Sequence, residues 1–275
     1  TPADAKTSLL HLYGNASSSK RPLKTQRRRR GEDIMNNTIT LLVLYPRDMN
    51  IYGDTGNLLV LTRRLEWYGY TPKVIFYNVG DTFPQEQPDI ILGGGGQDSG
   101  QVTIHKDLLR IGPQLKQWAD KGVPMLMVCG LYQLFGHSFK TLAGTLLEGI
   151  GILDVTTIGT NERLIGNIVT RSGEFGDIVG YENHSGQTFL GKSAVPFATV
   201  IRGAGNNSKE DHEGVRYKNV IGTYLHGSLL PKNPAVADFF IKTAAENRFG
   251  KFNDSNIIDD SFATSARRIA ASRPR

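Results

Sequence analysis

The stretch Pro124-Met125-Leu126-Met127-Val128-Cys129-Gly130-Leu131-Tyr132-Gln133-Leu134-Phe135-Gly136 runs from an apolar strand straight into a helix, with the only cysteine of the chain at the junction. A tight strand-to-helix turn lifts its side chain off the edge of a sheet and aims the following backbone N–H groups at whatever that side chain attacks. The helix N-terminus stabilises negative charge and so favours thiolate over thiol. Gly130 leaves room for a substrate to approach. A cysteine that merely fills the core between strand and helix would produce the same local pattern. The rest of the chain has to decide between the two.

Upstream, apolar strand-like runs alternate with helical periodicity. Ile39 to Leu44 reads as a strand. Asn57, at a capping position, opens a helix through Tyr68 with Leu58, Leu61, Leu65 and Tyr68 on one face. Lys73 to Tyr77 and Asp89 to Leu92 read as further strands, and His105 to Asp120 carries Leu108, Ile111, Leu115 and Trp118 at helical spacing. Downstream, Ile150 to Ile201 is dense in Gly, Thr and Val, as strands laid across or beside a main sheet would be. Val220 to Leu225 reads as a late strand ending at His226. Asn233-Pro234 then opens a last helix, with Val236, Phe239, Phe240 and Thr243 on one face and Gly250 at its end. Alternating strands and helices predict an α/β fold, an open mainly parallel sheet flanked by helices. Sites in such sheets lie beyond the carboxyl ends of the strands.

That rule brings two separate residues together. Cys129 and His226 both follow apolar strands, so a thiolate and a base that shuttles its protons are expected at one rim. Gly93-Gly94-Gly95-Gly96 follows a third strand. Attack on an amide carbonyl develops an oxyanion that needs backbone donors, and Gly94, Gly95 and Gly130 are the candidates. No lysine follows the glycines as a phosphate-binding loop would require.

Composition narrows the classes further. One cysteine in 275 residues excludes an internal disulfide and a multi-cysteine zinc site, and six scattered histidines show no ligand spacing, so no metal is expected. The net charge of +6 sits in the tails: Lys6, Lys20, Arg21, Lys24 and Arg27 to Arg30 at one end, Arg267, Arg268, Arg273 and Arg275 at the other. The body is slightly acidic, so no nucleic-acid partner is expected. No apolar run approaches the roughly 20 residues of a membrane span, and no secretory signal pattern opens the chain, so a cytoplasmic location is expected. Residues 1–34 read as a disordered basic leader, 35–250 as the folded domain, and 251–275 as a loose tail.

Five stretches, in order, carry a family resemblance: Tyr52-Gly53-Asp54-Thr55-Gly56-Asn57, Gly93 to Asp98, Cys129 to Gln133, Gly180-Tyr181-Glu182-Asn183-His184-Ser185-Gly186 and Gly222-Thr223-Tyr224-Leu225-His226-Gly227. Together they resemble class I glutamine amidotransferase domains of the cobyric-acid-synthase type, with a flavodoxin-like sheet. The resemblance implies that Cys129 forms a γ-glutamyl thioester, that His226 handles the protons, and that Arg163 helps hold the glutamine substrate. His184 lies in the segment the family places near the substrate and is the weaker candidate for the base. Two departures stand out. Many members carry glycine two positions before and after the nucleophile, where this chain has Met127 and Leu131. Triad enzymes of the class place a glutamate two residues after the histidine, where this chain has Ser228. A Cys–His dyad is therefore expected, with the group that orients His226 unidentified.

The chain has no P-loop and no room for the ATP-binding domain fused to cobyric acid synthases. The resemblance therefore implies a separate Mur-ligase-like synthetase partner that uses ATP and Mg to activate the D-glutamate carboxyl of a peptidoglycan stem, the ammonia passing to it internally. Supply of ammonia for cobyric-acid-type amidation, a non-catalytic binding subunit, and a cysteine hydrolase of related fold are the alternatives.

Overall fold

The computed structural model describes residues 37–275. The expected leader over residues 1–34 lies outside the described residues. Helices and strands follow in the order β1 (Thr38–Leu44), α1 (Thr55–Trp67), β2 (Thr71–Tyr77), β3 (Ile90–Gly93), α2 (Asp98–Asp120), β4 (Met125–Val128), α3 (Gly130–Phe135), β5 (Ser138–Lys140) and β6 (Leu146–Glu148). Then come β7 (Val155–Ser172), β8 (Gly176–Leu190), β9 (Ala198–Arg202), β10 (His212–Glu213), β11 (Val215–Tyr217), β12 (Val220–Thr223), α4 (Pro234–Phe249) and α5 (Ser261–Ser272).

The first sheet has the order β11-β12-β4-β3-β1-β2. Its ladders are parallel except where β11 closes the edge antiparallel to β12. This is the open, mainly parallel sheet expected from the alternation of strands and helices. The central strands β3 and β4 are buried along their whole length, as a sheet covered on both faces requires. Crossovers leave β1 toward β2 on one side and run from β3 to β4 on the other. Right-handed connections then place α1 and α2 on opposite faces. The carboxyl ends of β1, β3, β4 and β12 share one rim, because Leu44 is in register with Gly93, Gly93 with Met127, and Thr223 with Val128.

The β-rich segment builds a second sheet, β10-β9-β7-β5-β6, with β8 pairing along β7. Two isolated bridges tie it to the first: Val195 to Arg216, and Tyr181 to His226. In the second, His226 donates its backbone N–H to Tyr181 O (2.9 Å) and accepts from Tyr181 N (3.2 Å). The backbone of His226 is thus held by β8 as well as by its own strand.

Three local expectations are corrected. Asn57 does not cap α1; it lies inside the helix, and its Oδ1 accepts the N–H of Leu230, pinning the turn after His226. Asn233 precedes α4 but makes no side-chain cap bond; it pairs with both backbone groups of Val179 and donates to Leu229 O, so it fastens the start of α4 to β8 instead. Residues 251–275 are not loose. They contain α5, and Ala271, Pro274 and Arg275 accept from Arg202, accept from Asn167 and pair with buried Glu182, respectively. Before that helix, Asp260 and Asp238 clamp the guanidinium of buried Arg64.

Candidate active site

Cys129 stands between β4 and α3 with φ 49° and ψ −103°. A non-glycine residue in the left-handed half of backbone space is strained, and such strain persists where the surroundings over-determine it. Here the Cys129 N–H is fixed on Thr223 O (2.9 Å) and its carbonyl already accepts the first helical bond from Gln133 (2.9 Å). Glycine fits at the next position without displacing its neighbours, since a Cβ at Gly130 would press on Met49 Cε (2.6 Å) and on the Gly96 nitrogen (3.1 Å). The strand-to-helix turn expected from the sequence is present, with Cys129 at its apex. Cys129 is buried yet lines a cavity of about 380 Å³ together with Tyr52, Gly96, Gln133, Arg163 and Asn183.

His226 faces Cys129 across Gly95. A Cβ on Gly95 would lie 2.8 Å from His226 Cε1 and 3.1 Å from Cys129 Cβ, so this glycine leaves open the space between the imidazole and the Cys129 side chain. The imidazole is 1% exposed. Burial alone would push its pKa down. The Cys129 sulfur and the Asp54 carboxylate outweigh burial and bring it up to about 10. The pair therefore favours an imidazolium beside the sulfur.

Asp54 is the group that the sequence left unidentified. It follows β1, and its Oδ1 lies 3.6 Å from His226 Nδ1, an ion-pair distance rather than a hydrogen bond. Its Oδ2 accepts the N–H of Gly95 (2.7 Å). The position at which triad enzymes carry their glutamate holds Ser228, whose hydroxyl donates to Gly53 O (2.8 Å). The acid thus comes from the loop after β1, and Ser228 tethers that loop to the histidine turn. Gly53-Asp54-Thr55-Gly56 lies nearly a full loop beyond the first strand, at the start of α1, so a rule that looks only at strand ends does not single it out.

The bond to Asp54 corrects part of the oxyanion expectation. The N–H of Gly95 is occupied and points away from the cavity, and Gly94 lines a small space on the far side of the loop with Asp54 and Leu92. Gly96 reaches the cavity instead, and its nitrogen lies 3.1 Å from where a Cβ of Gly130 would be. The Gly96 amide nitrogen therefore lies close to Gly130, beside Cys129.

Arg163 rises from an irregular part of β7, where the register with β8 shifts between Gly159 and Leu164. Its Nε donates to Asn183 Oδ1 (2.9 Å) and its Nη2 to the Tyr52 hydroxyl (3.1 Å). A guanidinium held at one edge and aimed into the cavity is suited to a carboxylate. His184 is unsuited to act as a base. Its ring stacks on Tyr224 with centroids 3.6 Å apart, Nδ1 is bonded to Gly186 O (2.7 Å), and burial lowers its pKa to about 3. Beneath Cys129 a buried polar chain runs from Gln101 to Gln133 (2.8 Å), on to the Tyr224 hydroxyl (3.0 Å) and then to Thr188 (2.6 Å). Among the described residues, no group of three or more His, Cys, Asp or Glu could hold a metal ion.

This constellation can carry out acyl transfer from an amide through a thioester. A family model described as the CobB/CobQ-like glutamine amidotransferase domain matches residues 40–234. The chain belongs to that family. Glutamine-hydrolysing amidotransferase activity goes with this membership. This family member is 38% identical over 212 residues to lipid II isoglutaminyl synthase (glutamine-hydrolyzing) subunit GatD of Staphylococcus aureus, covering 77% of this chain and 86% of that protein. The corresponding subunit of Streptococcus pneumoniae is 36% identical, with 76% and 81% covered. Cobyric acid synthase of Listeria welshimeri is 32% identical over 150 residues, which are 51% of this amidotransferase and 29% of that protein. A crystal structure of a glutamine amidotransferase shares the fold, with TM-score 0.51, 14% identity and coverage of 74% of this chain and 98% of the other.

Proposed function

We propose that this chain is the glutamine-hydrolysing subunit of a lipid II isoglutaminyl synthase. In this reading Cys129 is the nucleophile, His226 the proton carrier, Asp54 its orienting acid and Arg163 the glutamine carboxylate clamp. The juxtaposition of Cys129 and His226 across Gly95 carries the chemical part. The similarity to two subunits of that name over most of their length supports the pathway.

The reaction balances with these residues. The Cys129 thiolate attacks the side-chain amide carbon of glutamine, and the oxyanion forms beside the Gly96 and Gly130 amides. Collapse breaks the C–N bond, and the departing nitrogen takes the proton of the His226 imidazolium, leaving as ammonia. The neutral imidazole then takes a proton from water, whose oxygen attacks the thioester carbonyl. The C–S bond breaks, thiolate and imidazolium are restored, and glutamate leaves, its new carboxyl proton passing to ammonia or solvent.

Ammonia released into water becomes ammonium, a poor nucleophile. The use proposed for it is at an ATP-dependent, Mur-ligase-like partner that activates the D-glutamate carboxyl of lipid II; ATP and Mg belong to that partner, and the complex works in the cytoplasm. The test uses the complex of both subunits. Cys129→Ala is expected to abolish glutamine-driven amidation and to leave amidation driven by an ammonium salt intact. Loss of both activities in a folded complex would contradict the assigned role.

A further inference from the structure

The Tyr52 side chain touches both halves of the site. Its ring packs edge-on against the His226 imidazole, with centroids 4.6 Å apart and planes at 67°. Its hydroxyl accepts an N–H from Arg163 Nη2 at 3.1 Å. Few residues could reach both, because His226 follows a strand of the first sheet while Arg163 belongs to the second. The backbone on either side of Tyr52 is fixed. Ile51 donates its N–H to Gly95 O (3.1 Å), and Gly53 O accepts from Ser228 (2.8 Å), so the loop is pinned between the glycine loop and the histidine turn. Tyr52 also lines the cavity that holds Cys129 and Arg163.

We propose that Tyr52 is a specificity and positioning residue, which recognises the carboxylate of the amino-acid substrate alongside Arg163 and holds the His226 ring against the nucleophile. The proposal deepens the glutaminase reading above and rests on it. A phenol accepts and donates at once. With the Arg163 N–H received on its oxygen, the Tyr52 O–H proton is available to a carboxylate that lies on the guanidinium. The carboxylate would then be read by one cationic and one neutral donor set at a fixed angle, and the same side chain would press its ring edge against the imidazole. A substrate amide without an α-carboxylate would lack this contact and gain nothing from the hydroxyl.

Two substitutions separate the roles. Tyr52→Phe keeps the ring and removes the hydroxyl. A hydrogen bond to a charged group supports an expected rise of about 10-fold or more in KM for glutamine, with kcat within about 2-fold. Activity toward 4-aminobutanamide, which keeps the amide and amine but lacks the carboxylate, is expected to be unchanged by Tyr52→Phe. Tyr52→Ala removes the ring as well and is expected to lower kcat by about 10-fold on both substrates, since the imidazole loses its packing partner. Circular dichroism on each variant confirms that it is folded. The proposal is overturned if Tyr52→Phe leaves KM for glutamine unchanged, or weakens both substrates equally, while Cys129→Ala remains inactive. Glutamine hydrolysis that persists in Cys129→Ala would overturn the underlying reading instead.

Discussion

Replacing His226 with asparagine is expected to lower kcat for glutamine hydrolysis by about 10³- to 10⁴-fold, with KM changed little. The asparagine keeps a polar side chain of similar reach in a position that is 1% exposed, so the loss reports chemistry rather than collapse of the turn. The backbone bonds of His226 to Tyr181 are made by main-chain atoms and survive the substitution. In the proposed mechanism, what disappears is the proton donor for departing ammonia and the base for the attacking water. Removing a member of such a pair leaves only the oxyanion niche and substrate binding to accelerate the reaction. Stopped assays at saturating glutamine, with KM measured separately, check this. A variant within about 10-fold of wild type would show that another group carries the protons.

The second large effect is expected at Asp54. Asp54→Asn keeps an oxygen that can accept the Gly95 N–H, so the glycine loop has a reason to stay in place. It removes the negative charge 3.6 Å from His226 Nδ1. That charge, with the Cys129 sulfur, brings the imidazole pKa up to about 10 against the pull of burial. Without it the imidazolium gives up its proton more readily. If the imidazolium is the proton donor, the alkaline limb of kcat falls as that proton is lost, and it is expected at lower pH in the variant than in the wild type. Neutralising a hydrogen-bonded triad acid costs about 10⁴-fold. The longer contact here sets the expectation at about 10²-fold near neutral pH. A pH–rate profile of the variant that overlays the wild type would remove Asp54 from the mechanism.

The same sign governs stability. The folded imidazole binds its proton more tightly than an unfolded one, so this contribution is complete below the ordinary histidine range and is lost as pH rises through about 10.

The sequence and the structure agree most closely where hydrophobic patterning has few solutions. The runs ending at Leu44, Leu92 and Val128 are short, apolar and bounded by polar or glycine residues, so the parallel sheet and its active rim were legible. The approach of Cys129 and His226 at one rim followed from their places beyond strand ends. Less was legible where tertiary contacts override local signals. The helix α2 begins at Asp98 rather than near His105, because Gln101, a poor core residue by type, is buried and bonded to Gly130 O and Gln133. The helix α5 has no buried residue, and it is fastened through arginine and backbone contacts that no apolar periodicity announces. The glycine run suggests a free N–H at Gly95, yet that N–H is used by Asp54, a contact between two loops far apart in the chain and invisible to local reading.

The central claim is that the strained Cys129, activated by His226, attacks the side-chain carbonyl of glutamine. A glutamine analogue with an electrophilic diazoketone in place of the amide, followed by mass spectrometry of the intact and digested chain, tests it most directly. The account predicts one adduct per chain, on Cys129, prevented by excess glutamine and strongly slowed in His226→Asn. An unmodified Cys129 under conditions where the wild type hydrolyses glutamine, or an adduct on another residue that glutamine blocks, would contradict it.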